Sequence, residues 1–174
     1  YTSTTGQTST FNVCIGTPVP PPNCINNQPA GNTCQTATPI CNLNGYCGST
    51  SSTYTADYWS QLNSTFCGSI ENNSFLTFVA TSTTISFDVW VTSSQDNSGI
   101  QIMIFSANNC SGAVNNLTCW SPGIVPSGST NISANGLVVG NTYYIMIDGY
   151  GGDVCDYVIA ANSGIQTQVT TTAS

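Results

Sequence analysis

From Ser74 to Ala161 the apolar residues return at every second position in short runs, separated by clusters of Gly, Asn, Ser and Pro. Ile85, Phe87, Val89 and Val91 alternate with Ser86, Asp88 and Thr92, and Ile100, Ile102 and Ile104 keep the same period. Successive side chains of a strand point to opposite faces, so this spacing buries one face and wets the other. Strands are predicted over 75–80, 85–92, 100–106, 142–148 and 154–161. The run 143–147 is apolar on both faces and is placed centrally in a sheet. Turn clusters fall at 95–99, 106–112, 121–129 and 149–152. Residues 34–74 read as loop-rich, with a single weak helical turn between 55 and 62. The expected fold is all-β: an antiparallel, jelly-roll-like sandwich.

Charge narrows the function further. The 174 residues include no Lys, Arg or His and seven acids, for a formal net charge of −7. Nucleic-acid binding depends on cationic side chains that neutralise phosphates, so it is excluded as a role. Attraction to an anionic membrane surface fails for the same reason, and no apolar run approaches the ~18 residues of a membrane span. A serine nucleophile would lack its His or Lys base. Paired carboxylates would suffice for glycoside hydrolysis, but three of the seven acids crowd one turn, and the chain is read as a non-enzyme. Ser, Thr and Asn supply 66 residues, and this hydroxyl-rich, neutral surface sits with enough Phe, Tyr, Trp, Val and Ile to build a core.

Nine cysteines stand at 14, 24, 34, 41, 47, 67, 110, 119 and 155. Zinc would need four of them, and the paired Cys-x₂-Cys spacing is absent. Disulfides in an oxidising compartment are the better account, so the protein is expected to be secreted and at the cell surface. The most local pair is Cys110 with Cys119, while Cys34, Cys41 and Cys47 have Cys24, Cys67 and Cys155 as possible partners. An odd count leaves at least one thiol free or in a symmetric bridge between chains.

Organisation follows from the proline content. Phe11, Val13 and Ile15 share one face of a short strand in an N-terminal arm, 1–17. A Pro/Asn-rich linker, 18–33, then holds that strand away, because Pro18, Pro20, Pro21 and Pro22 cannot donate to a ladder. The sandwich is placed at 34–162 and a C-terminal strand or tail at 163–174. With no leader segment at its start, the chain reads as a mature product of secretion.

Three features carry candidate chemistry. Asp148, Asp153 and Asp156 lie within nine residues on a Gly-rich turn, where oxygen ligands could hold Ca²⁺, with Glu71 or Asp57 completing the site if the fold brings them close. Their commoner role is to cap turns by accepting from backbone N–H groups. Trp59, Trp90 and Trp120 with Tyr46, Tyr54, Tyr58 and Tyr150 could form sugar-stacking platforms, or could simply pack. Asn63, Asn72, Asn109, Asn116 and Asn131 head Asn-x-Ser/Thr sequons, and covalent glycans, chiefly O-linked on 1–10 and 49–55, would coat a surface that lacks charge repulsion.

The runs Glu71-Asn-Asn-Ser-Phe75, Gly99-Ile-Gln-Ile-Met-Ile-Phe105 and Asn141-Thr-Tyr-Tyr-Ile-Met-Ile-Asp-Gly149, with Gly152-Asp-Val-Cys-Asp-Tyr157 and the upstream Asn32-to-Cys41 segment, carry a resemblance. Residues 32–161 resemble β-sandwich modules of secreted Bacteroidetes proteins, which are similar to bacterial pre-peptidase C-terminal domains. The resemblance implies a jelly-roll-like module of a large exported or surface protein, without catalysis. The expected function is that of a subunit of a glycosylated surface fibre. Its strand 11–15 would add to the sheet of the next copy, making other copies of itself the partner. The alternative is an adhesive or glycan-binding appendage of a larger secreted protein.

Overall fold

The computed structural model describes residues 20–126 and 128–165; the assembly strand Phe11, Val13 and Ile15, and Cys14, lie outside them. The strands are β1 (Thr38–Pro39), β2 (Tyr46–Ser49), β3 (Ser74–Val79), β4 (Thr84–Ser94), β5 (Ile100–Asn108), β6 (Ser111–Ile124), β7 (Ser129–Asn135), β8 (Thr142–Gly149) and β9 (Cys155–Ser163). One short helix, α1 (Ser60–Thr65), and 3-10 turns at Cys34–Thr36 and Tyr150–Gly152 complete the set. Among the described residues no helix is long and apolar enough to cross a membrane.

Two sheets form, with orders β1-β3-β8-β5-β6 and β2-β9-β4-β7. The pairs β2 with β9, β3 with β8, β4 with β7 and β5 with β6 are all antiparallel and nested in sequence. The chain therefore behaves as one long double strand whose tip is the β5–β6 hairpin. Rolling that double strand so that successive rungs fall in alternate sheets gives the jelly roll. The expected sandwich is what the chain forms, and 143–147 does lie centrally, in β8.

The alternating residues supply the inner layer. Ile85, Phe87, Val89 and Val91 from β4 meet Ile100, Ile102 and Ile104 from β5 and Ile145 and Ile147 from β8, all buried. Tyr157 and Ile159 of β9 join them, as does Ile165 just past the last strand. Truncating one of these, Ile102 for example, to Ala would cost about 3 kcal/mol.

A second apolar layer covers the outer face of the five-stranded sheet. Phe75, Met103, Phe105 and Met146 point away from the sandwich and are capped by Leu62 of α1, Phe66 and Cys34. Two disulfides fasten this cover: Cys34 to Cys110 at the hairpin tip, and Cys67 to Cys119 on β6. A third, Cys24 to Cys47, pins the incoming chain to β2. The Cys110–Cys119 pair expected from proximity in sequence does not form, because each is taken by the covering segment. Cys41 (exposed) and Cys155 (buried), both named as disulfide candidates, are free among the described residues. Burial pushes the Cys155 thiol up to about 11, so it is an inert thiol.

The polar stretches 111–124 and 129–135, where no strand is predicted and where turn clusters are placed at 106–112 and 121–129, are strands. β6 is an edge strand with three register shifts against β5, so its few apolar residues lose the simple period. β7 needs only Ile132 and Ala134 on its inner face, and its exposed positions are Ser and Asn. Residues 24–33 are also more than a linker. Asn26 bridges to Tyr46, and Gly31 bridges to Phe75 through two hydrogen bonds of 2.9 and 2.8 Å.

Candidate functional site

Three places could carry function: the sheet edges, a cleft beside β2, and the buried acidic turn after β8.

One side of the sandwich is closed by the incoming chain. Cys47 N–H of β2 donates to Asn26 O at 2.8 Å, and Gly31 and β1 cover β3. The opposite side exposes β6 and β7. β6 is blunted by its register shifts and by Pro122, which has no N–H to offer. β7 is different. It pairs with β4 over seven consecutive residues without a register shift, contains no Pro and no charged residue, and ends its sheet. No backbone hydrogen bond from outside its own sheet reaches Ser129–Asn135 among the described residues.

The cleft measures about 430 Å³ and is lined by Gln28, Tyr46, Tyr54, Thr92, Asp156 and Tyr157, among others. Most of its hydroxyls are committed. Tyr46 Oη donates to Gln28 O at 2.9 Å and Tyr54 Oη to Ala30 O at 3.3 Å. Burial pushes both phenols above their ordinary range. The other aromatic residues expected to form a platform are dispersed. Trp59 is half-buried with Nε1–H donating to Gly112 O, Trp90 is half-buried on the outer face of β4, and Tyr58, Trp120 and Tyr150 are exposed.

The acidic turn is the most heavily built polar region. The chain leaves the five-stranded sheet at Gly149 and enters the four-stranded sheet at Cys155, so the three aspartates expected to share a cation are sent to three places. Asp156 is exposed on the outer face of β9, where Ser93 Oγ donates to it at 2.8 Å. Asp153 is fully buried beneath the β4–β5 loop. It accepts from Ser94 Oγ at 2.5 Å and from the backbone N–H groups of Asp96, Ser98 and Gly99 at 2.9, 2.9 and 2.7 Å. Burial alone would raise its pKa, but these donors outweigh it and hold the carboxyl well below the usual range. Asp148 is fully buried on the outer face of β8, and its Oδ1 accepts from the N–H groups of Glu71 and Asn72 at 3.1 and 3.0 Å. Burial, with the Glu71 charge alongside, pushes it up to about 7 against those two hydrogen bonds.

Asn72 ties this region together. Its Nδ2 donates to Thr50 O at 2.9 Å and to Asp153 O at 3.2 Å, and its Oδ1 accepts from Gly149 N–H at 3.0 Å. Gly149 must lack a side chain, since a Cβ there would collide with Asp153 O and Asn72 Oδ1. Such a committed, buried amide cannot take a glycan in the folded protein, which removes Asn72 from the sequon candidates. Asn63, Asn109, Asn116 and Asn131 are exposed, although Asn131 Nδ2 donates to Asp88 Oδ1 at 2.7 Å.

Among the described residues no group of three acid, cysteine or histidine side chains converges as a metal site, so Asp148, Asp153 and Asp156 do not form the expected calcium cluster. Of the two acids named to complete it, Asp57 lies elsewhere, accepting from Cys34 N–H at 2.8 Å, while Glu71 lies beside Asp148. Gln101, one polar residue in an otherwise apolar strand, stands opposite Asp148 in register. No family model, no curated protein and no solved structure matches this chain.

Proposed function

We propose that this protein is a secreted structural subunit that assembles head-to-tail, the strand around Phe11, Val13 and Ile15 of one copy adding to the β7 edge of the next. The observation that carries the reading is the asymmetry of the sheet edges. Natural proteins guard exposed edges with Lys, Pro, bulges or covering segments. Here three edges carry such guards and β7 carries none. Strand addition takes its affinity from main-chain hydrogen bonds and its register from alternate side chains, so an uncharged chain can use it. Three disulfides fit an oxidising exterior.

Deleting residues 1–17 tests the reading: the truncated chain stays folded and becomes monomeric in sedimentation. Ser133→Lys, which places a cation on the edge strand, weakens assembly at least about tenfold while leaving the monomer's unfolding midpoint in place. Unchanged assembly in both variants refutes strand addition at β7. The cleft beside β2 favours a second reading, a glycan-binding module, which a glycan array probed with the full chain would support by a hit lost in Tyr54→Ala.

A further inference from the structure

The outer face of the five-stranded sheet is a ladder of cross-strand pairs between β5 and β8: Phe105 with Tyr144, Met103 with Met146, and Gln101 with Asp148. The first two rungs are apolar and packed under α1. The last rung is polar, fully buried and short of partners. Among the described residues neither Gln101 Oε1 nor Gln101 Nε2 has a hydrogen-bond partner, and the same holds for Asp148 Oδ2 and Glu71 Oε2, all buried atoms. Directly opposed residues of an antiparallel pair have Cβ atoms about 5 Å apart, so Gln101 and Asp148 share one small volume. Glu71 adjoins Asp148, its own N–H bonded to Asp148 Oδ1 and its side-chain stem resting 3.7 Å from where a Cβ on Gly152 would lie. Gly68 roofs Gln101, leaving no room there for a side chain.

Buried polar atoms are paired in folded proteins, and unpaired carboxylate oxygens are the costliest exceptions. Elsewhere a Lys or Arg would answer them, but this chain has none. Asp153 solves the same problem with four donors. The Glu71–Asp148 pair has only the two backbone donors on Asp148 Oδ1, and Gln101 Nε2 makes no hydrogen bond to its outer oxygens. We propose that Glu71, Asp148 and the carboxamide oxygen of Gln101 form a calcium site on the last rung of this ladder. Hard oxygen donors of mixed charge suit calcium, which accepts irregular geometry and completes its shell with water or carbonyl oxygens, whereas magnesium demands a near-ideal octahedron. Glu71 is half-buried as a residue although its Oε2 is buried, so the site lies close beneath the surface. The bound ion would fasten the covering segment 66–73 to β5 and β8. The inference is independent of how subunits join.

The experiment uses the full chain, stripped with a chelator at about pH 7.5. Calcium at about 10 mM raises the unfolding midpoint by about 5 °C or more, magnesium raises it less, and calorimetric titration reads one calcium per chain. Glu71→Gln, whose half-exposed position keeps the fold intact, weakens calcium uptake at least about tenfold, and Asp148→Asn does the same. A midpoint that ignores calcium but shifts with pH shows a proton shared between the two carboxyls and overturns the proposal. Full calcium uptake in both variants, or a magnesium response equal to that of calcium, overturns it as well.

Discussion

Asp148 and Asp153 lie five residues apart, both are fully buried, and neither has a cationic side chain to meet it. Their solutions differ. Asp153 sits inside a loop whose N–H groups turn inward, and four donors stabilise its charged form. Asp148 sits on a strand, where the backbone N–H groups are spent on neighbouring strands, so it receives two donors from a crossing segment and faces another carboxyl. A loop can aim several amides at one point and a strand cannot. Burial is therefore no measure of what a buried acid does for a fold: the first is a structural anchor, and the second stores an unmet demand for a proton or a cation.

Removing each carboxyl in turn separates the two aspartates most directly. Asp153→Ala leaves four donors unanswered beneath the β4–β5 loop, and denaturant unfolding will show a loss of about 4 kcal/mol. The pH response sharpens the contrast, because the two signs are opposite. Asp153 titrates lower in the folded than in the unfolded chain, so its contribution is complete above about pH 4 and drains away as the pH falls toward its folded value. Asp148 is raised from 3.8 to about 7, so in calcium-free buffer stability is highest while it is protonated and declines as the pH climbs from about 4 to 7. Unfolding curves across this range should show an acid-side loss abolished by Asp153→Asn and a neutral-side decline abolished by Asp148→Asn.

Smaller changes grade the difference. Ser94→Ala removes one donor of four at Asp153 and will cost about 1.5 kcal/mol in the same unfolding assay. Asp148→Asn in calcium-free buffer keeps an acceptor for Glu71 and Asn72 and adds a donor toward Glu71, so stability at neutral pH should change by less than about 1 kcal/mol or rise. If it costs as much as Asp153→Ala, the two aspartates are equivalent and the contrast fails.

Much of the sandwich was legible along the chain because period-two alternation is a local signal. Ile85 to Val91 and Ile100 to Ile104 announce which face is buried without reference to any neighbour. β6 and β7 were not legible, since an edge strand needs few apolar residues and takes its hydrogen bonds from a strand already in place. Cysteine pairing failed for a similar reason. Cys110 and Cys119 are close in sequence, yet a covering segment folded over the sheet claims both, and nothing local encodes that fold-back. The acidic turn misled in the other direction: three aspartates within nine residues look like one site, but the chain changes sheets between them. Glu71 and Gln101 were visible as polar residues, and only their register and burial give them meaning.

The amino-acid order alone settled the β-rich class and the absence of any Lys, Arg or His to pair with a buried acid, because each is a matter of composition or near-neighbour spacing. Which edge stays open, which thiols meet and which carboxylates stand face to face were decided by tertiary structure. Those properties belong to residues 20 to 80 positions apart, and only the rolling of the double strand brings such residues together.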